Sequence, residues 1–397
     1  MLRPGTFALT VLLAALTGIG PLTTDMYLPS LPDIARDLGA STAQTQLTIS
    51  TYLIGFAIGQ VIWGPFADRH GRKPVMLVAI GIYIMASLVA SLAPSIDVLV
   101  AARAVQGVGG SGGIVLARAV VRDLYSGARA GREMSVIGAV MALAPVVAPA
   151  IGGVLETAFG WRSTFYVLTG GGFALALWVL LLLPETLQIR AAEAVSPASI
   201  LRSFRVLVRN PSYLAHAGLS VLSFAGLFAW ISGTSFVLQG IYGLSPFAFG
   251  FAFAAGSVGY MAGTVLAARI VGPLGLDRTM GIGSVMLAAG GLCMVAAVAT
   301  GHASALTLVA SVAIYLAGMG LVLPQAAAGA LTPFPERAGA ASSLLGFIQQ
   351  SVAAIVGAVV GLALGANAWP LAIAIALMGC LALLLWAMTR DVRTRMV

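Results

Sequence analysis

Apolar stretches of about 20 residues, each enough to cross a hydrocarbon core of roughly 30 Å as a helix, recur along this chain with only brief polar interruptions. They fall at residues 7–28, 42–66, 75–93, 97–121, 134–157, 163–183, 212–238, 246–270, 279–299, 304–328, 339–363 and 369–389. With 59% hydrophobic and 9% charged residues and 48 glycines in 397, the chain cannot be a water-soluble globule. The expectation is an all-α polytopic membrane protein with twelve transmembrane helices. The opening Met1-Leu2-Arg3 and its apolar run could mimic a secretory signal, but no small-residue cleavage site precedes the polar end of that helix, so it is kept as the first span.

Basic residues set the orientation, because short loops rich in Lys and Arg stay in the cytoplasm. An even number of helices with both termini cytoplasmic puts all but Arg36, Arg103 and Arg162 of the 21 basic residues on that side. The net charge of +8 then reflects topology and contact with the anionic lipid bilayer, and no nucleic-acid partner is expected. The two cysteines, Cys293 and Cys380, lie within spans and imply neither a disulfide framework nor a metal site.

The one long polar interval, 185–211, divides the chain into an amino-terminal six-helix bundle (1–184), a cytoplasmic linker (185–211) and a carboxy-terminal six-helix bundle (212–397). Two six-helix halves with a binding site at the midplane is the layout of many secondary transporters. The internal repeat is weak: Gly272-Pro273-Leu274-Gly275-Leu276-Asp277-Arg278 only faintly echoes the charged turn Gly64-Pro65-Phe66-Ala67-Asp68-Arg69-His70-Gly71-Arg72-Lys73-Pro74.

Polar side chains sort the spans. The sixth, ninth and twelfth are almost wholly aliphatic, whereas the first, second, fourth, seventh, tenth and eleventh carry Thr23, Thr24, Asp25, Thr51, Tyr52, Gln60, Arg103, Gln106, Trp230, Ser232, Thr234, Tyr315, Gln325, Gln349 and Gln350. Such groups either line a polar pathway through both halves or hydrogen-bond neighbouring helices. Gly107-Val108-Gly109-Gly110-Ser111-Gly112 has the glycine spacing of a dinucleotide site, but it lies inside a membrane helix with no strand before it, so close helix packing is expected. The only lysine, Lys73, is not in a phosphate-loop spacing, so energy must come from a gradient. His70, His216 and His302 fall in or near different loops and cannot share a metal; no cofactor is expected. No nucleophile with a base, paired carboxylates or metal cluster supports a membrane-embedded enzyme.

Gly64, Asp68, Arg69, Gly71, Arg72 and Lys73 match the Gly-x-x-x-Asp-Arg-x-Gly-Arg-Lys/Arg signature of the major facilitator superfamily, which the chain resembles over essentially its whole length. Arg103-Ala104-Val105-Gln106-Gly107 and Ala148-Pro149-Ala150-Ile151-Gly152-Gly153 resemble blocks of drug:proton antiporters, the second with Ala148 where Gly is usual. Thr24-Asp25-Met26-Tyr27-Leu28-Pro29-Ser30-Leu31-Pro32 and Val121-Arg122-Asp123-Leu124-Tyr125 are similar to the Bcr/CflA subfamily of bicyclomycin and chloramphenicol resistance proteins. The resemblance implies a multi-pass protein of the bacterial cytoplasmic membrane that exports small amphiphilic drugs in exchange for protons. A proton-linked uptake carrier for a metabolite shares the fold, and the fifth-span block argues against it. Monomers are expected.

An ionisable group inside a bilayer costs at least ~2.5 kcal/mol on insertion scales and is usually there for function. Of the 13 acidic residues one, Asp25, clearly lies within a span, at a depth matched by Arg103. Burial and a nearby cation pull a carboxylate's proton affinity in opposite directions, so such a site can load and release a proton near neutral pH. Asp25 is therefore expected to bind the coupling proton, with Arg103 and Gln106 tuning it. A static Asp25–Arg103 pair locking two helices, or Asp25 capping the Pro29 turn, are the alternatives. One proton suffices, since a membrane potential supplies ~2.3 kcal/mol per charge per 100 mV, a roughly fiftyfold gradient of neutral substrate. Some related antiporters carry a second carboxylate eight residues earlier, where this chain has Thr17; neutral or zwitterionic cargo is thus favoured over dications.

The resemblance further implies a conformational latch, with Asp68 at the start of the eleventh span, where a helix amino terminus favours an anion, and Arg69, Arg72 and Asp123 in an ion network. Pro149 with Gly152 and Gly153 should bend the fifth span or pack it closely. The substrate cavity is expected to draw on Tyr27, Tyr52 and Gln106 in the first half and on Trp230, Phe236, Tyr260, Gln325 and Gln349 in the second.

Overall fold

A computed structural model describes residues 6–125, 127–187, 197–334, 337–365 and 367–394. Arg3, Arg190, Glu193 and the last three residues lie outside them. All regular secondary structure among the described residues is helical. It divides into two compact units, Met1–Ser196 and Pro197–Val397.

The first unit holds α1 (Phe7–Asp25), a 3₁₀ turn (Leu28–Ser30), α2 (Leu31–Asp37), α3 (Thr42–His70), α4 (Arg72–Ser91), α5 (Ile96–Leu124), α6 (Gly127–Phe159) and α7 (Arg162–Leu182). The second holds α8 (Pro197–Leu207), α9 (Pro211–Ser235), a π-helical turn (Phe236–Ile241), α10 (Pro246–Ala299), α11 (Ala305–Leu331), α12 (Ala338–Ala363), α13 (Trp369–Met388) and α14 (Arg390–Thr394). Eleven helices among the described residues are long and apolar enough to cross a membrane. One of them, the 54-residue α10, breaks at Gly275 (φ 77°, ψ 171°) and supplies two crossings, 246–274 and 276–299. Twelve crossings result, six in each unit.

Three stretches expected as loops are helical. Residues 127–133 belong to α6, residues 271–278 are helical but for Gly275, and α8 occupies 197–207 of the interval assigned as linker. In the first two the hydrophobicity window ended where charge began, while the helix itself runs on; α8 is a separate short helix ahead of α9.

Within each unit the helices pair in the same order. In the first, α1 packs on α6, α3 on α5 and α4 on α7; in the second, α9 packs on α12 and α10 on α11 and α13. Small residues allow the close approaches. A Cβ at Gly107 of α5 would sit 2.1 Å from the Tyr52 carbonyl oxygen of α3, and one at Gly263 of α10 would sit 2.0 Å from that of Ala317 on α11. Without a hydrophobic drive inside lipid, such backbone contact is what lets helices associate. The glycine-rich stretch of α5 is accordingly a packing surface: Gly109 abuts Tyr83 and Gly113 abuts Leu16 in the same manner.

Candidate functional site

Helix α1 ends at Asp25 because Pro29 and Pro32 follow, and the chain turns through Leu28–Ser30 before resuming as α2. Asp25 is 3% exposed, and among the described residues it makes no hydrogen bond or ion pair. Arg103 is fully buried on α5 but does not pair with it. Its guanidinium lies between the rings of Tyr27 and Tyr52, 4.7 and 4.4 Å from their centroids. Nη1 donates to Gln106 Oε1 (2.7 Å) and to the Thr23 carbonyl (3.4 Å), and Nε donates to the Thr48 carbonyl (3.4 Å). Nη2 has no partner among the described residues. Gln106 passes the chain on, its Nε2 donating to Ser87 Oγ at 2.7 Å, and the Tyr27 hydroxyl bonds Thr48 Oγ1 at 2.8 Å. The sequence matched Asp25 and Arg103 in depth; the structure brings Arg103 to Tyr27, Tyr52 and Gln106, and leaves Asp25 alone. Neither the static Asp25–Arg103 pair nor a cap from Asp25 to the Pro29 turn is formed.

The fifth-span block sits against this carboxylate's own turn. Pro149 and Gly153 are buried within α6, and a Cβ at Gly152 would fall 2.1 Å from the carbonyl oxygen of Met26, the residue after Asp25. Gly152 therefore fixes how closely α6 approaches the end of α1.

At the other end of the unit, Gly71 takes φ 103° between α3 and α4, a conformation only glycine adopts cheaply. Arg72, 5% exposed, then points inward. It binds Asp68 through Nη1 and Asp123 through Nε at 2.8 Å. Arg69, expected in this network, is exposed and has no ionic partner among the described residues. The missing member is Glu185. Its Oε1 accepts from the backbone N–H of Arg72 (2.9 Å), Thr186 (2.9 Å) and Leu187 (3.0 Å), and its Oε2 accepts from that of Lys73 (3.2 Å). Thr186 Oγ1 adds a bond to Asp123 Oδ2 at 3.2 Å. Gly64, the first glycine of the signature, has nothing within 4 Å of a would-be Cβ.

In the second unit, Trp230 of α9 is fully buried against Phe253, and its Nε1 has no hydrogen-bond partner among the described residues. Ser232 and Thr234 on the same helix are likewise buried and unpartnered. Phe236 opens the π-helical turn, half-buried; Tyr260 on α10 is half-buried and Gln325 on α11 is 9% exposed. Gln349 of α12 donates to Ser220 Oγ at 2.7 Å, so part of its hydrogen-bonding capacity serves helix packing. Tyr315, fully buried, donates to the Ser223 carbonyl at 3.2 Å.

Two further polar features escaped the sequence. Glu156, in the apolar stretch Val136–Phe159, is 7% exposed, so a second acid besides Asp25 is buried. It sits three residues from its helix end, where hydropathy gives no sign of burial. Arg393 of α14 is 2% exposed and binds Asp277 Oδ1 through Nε (2.9 Å) and Nη2 (2.8 Å).

Residues 13–358 match the family description Major Facilitator Superfamily. The chain is 37% identical over 359 residues to an uncharacterized MFS-type transporter, YdgK, of Bacillus subtilis, covering 89% of each. It is 33% identical over 358 residues to a bicyclomycin resistance protein homolog of Haemophilus influenzae, covering 90% of each. A solved D-xylose-proton symporter shares the fold with a TM-score of 0.74 at 18% identity, over 96% of this chain and 97% of that one. Helix pairing, signature turn and sequence relatives converge: this chain is a membrane transporter and belongs to the major facilitator superfamily.

Proposed function

We propose that the protein is a proton-coupled exporter of small amphiphilic neutral or zwitterionic compounds of the chloramphenicol and bicyclomycin kind, working by alternating access in a bacterial cytoplasmic membrane as a monomer with both termini inside. The observation that carries this reading is Asp25: a carboxylate buried at the end of a membrane helix and, among the described residues, without cation or hydrogen bond. An unpaired intramembrane charge is costly, so such a group is retained where it must take up and give back a proton. Its relative's name, a bicyclomycin resistance protein homolog, supports a drug as cargo.

Asp25 binds the coupling proton, and protonation and drug binding exclude one another. Arg103 does not act by pairing with the carboxylate. Clasped by Tyr27 and Tyr52, it holds a positive charge and an Nη2 that has no partner among the described residues. That donor can meet a polar group of the drug or a displaced carboxylate. Tyr27, Tyr52 and Gln106 form the first unit's part of the carrier wall, and Trp230, Phe236, Tyr260, Gln325 and Gln349 the second's. Asp68, Arg72 and Asp123 with Gly71 form the latch, to which Glu185 is added.

The test is proton release from detergent-solubilised protein on adding chloramphenicol, comparing wild type with Asp25→Asn. Release in wild type and none in the variant is expected. Equal release from both would sink the assignment of Asp25, and drug binding without release in either would replace export by a differently coupled carrier.

A further inference from the structure

Glu156 is a buried acid for which the mechanism above has no use. Its only hydrogen bond among the described residues comes from the Ser30 hydroxyl, which donates to Oε2, and Ser30 is itself fully buried in the 3₁₀ turn that follows Asp25. The charged groups around this end of the unit are otherwise accounted for. On α2, Arg36 is taken by Asp33; on α7, Arg162 is held by Asp37 at 2.7 Å, with the Trp161 indole on the same oxygen at 2.9 Å. From α1 the facing acid is Asp25, and on α5 Asp97 is exposed in the first turn. Among the described residues no ion pair reaches Glu156, although Arg36 lies near enough for its charge to act on the carboxylate. An open cleft of about 480 Å³, walled by Asp33, Arg36, Asp37, Phe159 and Arg162, begins three residues beyond it on α6.

We propose that Glu156 is a second proton-binding residue of the coupling machinery, exchanging its proton with water through the Asp33–Arg36 cleft and acting through Ser30 on the turn that follows Asp25. The inference rests on the proton-coupled reading. As a carboxylate, Glu156 accepts a charge-assisted bond from Ser30 and clamps the turn to α6. On taking a proton from water it becomes a neutral acid that binds Ser30 less strongly, and the clamp loosens. The turn carries Tyr27, whose ring faces the Arg103 guanidinium, so its position sets the geometry of the Arg103 cage. Gly152 contacts Met26 one turn earlier on α6, which places Glu156 and Asp25 on the order of 10 Å apart. Glu156 is thus a positioning residue whose charge Asp25 also senses.

The experiment is the pH profile of chloramphenicol-induced proton release from the full chain in detergent. Glu156→Gln keeps an acceptor for Ser30 but cannot ionise. Removing a negative charge at that separation should move the midpoint toward acid by about one pH unit. Glu156→Asp should return the profile toward wild type, and Asp97→Asn should superpose on it. A Glu156→Gln profile identical to wild type would overturn the proposal, as would equal loss of drug binding in Glu156→Gln and Glu156→Asp, which marks a purely structural contact. Absence of release in the wild type would instead overturn proton coupling itself, and this inference with it.

Discussion

Replacing Glu185 by alanine removes the cap of a helix 113 residues away in sequence. Helix α4 starts at Arg72, and Gly71 before it has no side chain with which to satisfy the first free N–H groups. Glu185 supplies that acceptor from the far end of the unit, taking the N–H of Arg72 at 2.9 Å and of Lys73 at 3.2 Å. Loss of an N-cap acceptor costs about 1 kcal/mol, and loss of a negative charge at a helix amino terminus about another 0.3–1 kcal/mol. The sum is roughly 2 kcal/mol. For a unit the size of Met1–Ser196 the unfolding entropy near 60 °C is about 0.4 kcal/mol per kelvin, so the melting temperature should fall by about 5 °C if this unit unfolds alone, and by about half that if both melt together. Intrinsic tryptophan fluorescence during a thermal ramp in detergent measures it. Glu185→Gln, which keeps one acceptor oxygen and loses the charge, should fall between. An alanine variant within about 1 °C of wild type would refute the argument, because the clasp would then contribute nothing that water does not replace.

Three further outcomes follow from the geometry. Gly152→Val places carbon 2.1 Å from the Met26 carbonyl, so α6 and the end of α1 must part; thermal stability should fall by about 1–3 kcal/mol and drug export should fall with it. Gly64→Ala, with open space at its Cβ, should melt with the wild type in the same scan. Arg103→Lys keeps the charge but not the flat group stacked between Tyr27 and Tyr52, nor the bond pattern to Gln106, Thr23 and Thr48; export measured in proteoliposomes should drop by about tenfold or more, and export at wild-type rate would show that charge alone suffices.

The spans, the polar helices and the signature turn were legible because each is written in a local stretch: hydropathy over a window of ~20 residues, or a motif whose glycine must take a positive φ. Gly71 is such a residue, and the glycines of α5 read correctly as packing because their helical context was visible. What failed was direction. Depth along a helix follows from residue count, so Asp25 and Arg103 were matched in height, but the azimuth of each side chain depends on which rings surround it. Tyr27 and Tyr52 take the guanidinium, and Asp25 gets none of it. Arg69 and Arg72 present the same difficulty. Both stand in the signature, but α4 begins at Arg72, and that start turns one arginine into the bundle and leaves the other outside. Glu185 and Glu156 were illegible for another reason: each is defined by a partner more than a hundred residues away.

The same distinction explains why the internal repeat was so faint. Both units pair their six crossings in one order, and both break the chain at a positive-φ glycine between the second and third, Gly71 at 103° and Gly275 at 77°. In each, the segment after the sixth crossing returns to the start of the third. The chemistry of that return is different. In the first unit Glu185 brings an anion to bare backbone N–H groups, and the buried arginine belongs to the turn itself. In the second the turn supplies the acid, Asp277, and the returning segment supplies the buried arginine, Arg393, backed by Trp386, whose indole donates to the Asp277 carbonyl at 3.1 Å. Either arrangement ties the last crossing to the third, but only Glu185 accepts from the free N–H groups of a helix start. The two junctions therefore make the same tie with different charges, and the buried arginine changes from the turn to the returning segment. A residue-by-residue comparison of Gly71-Arg72 with Gly275-Leu276-Asp277 sees opposite signs where the folded units hold equivalent contacts.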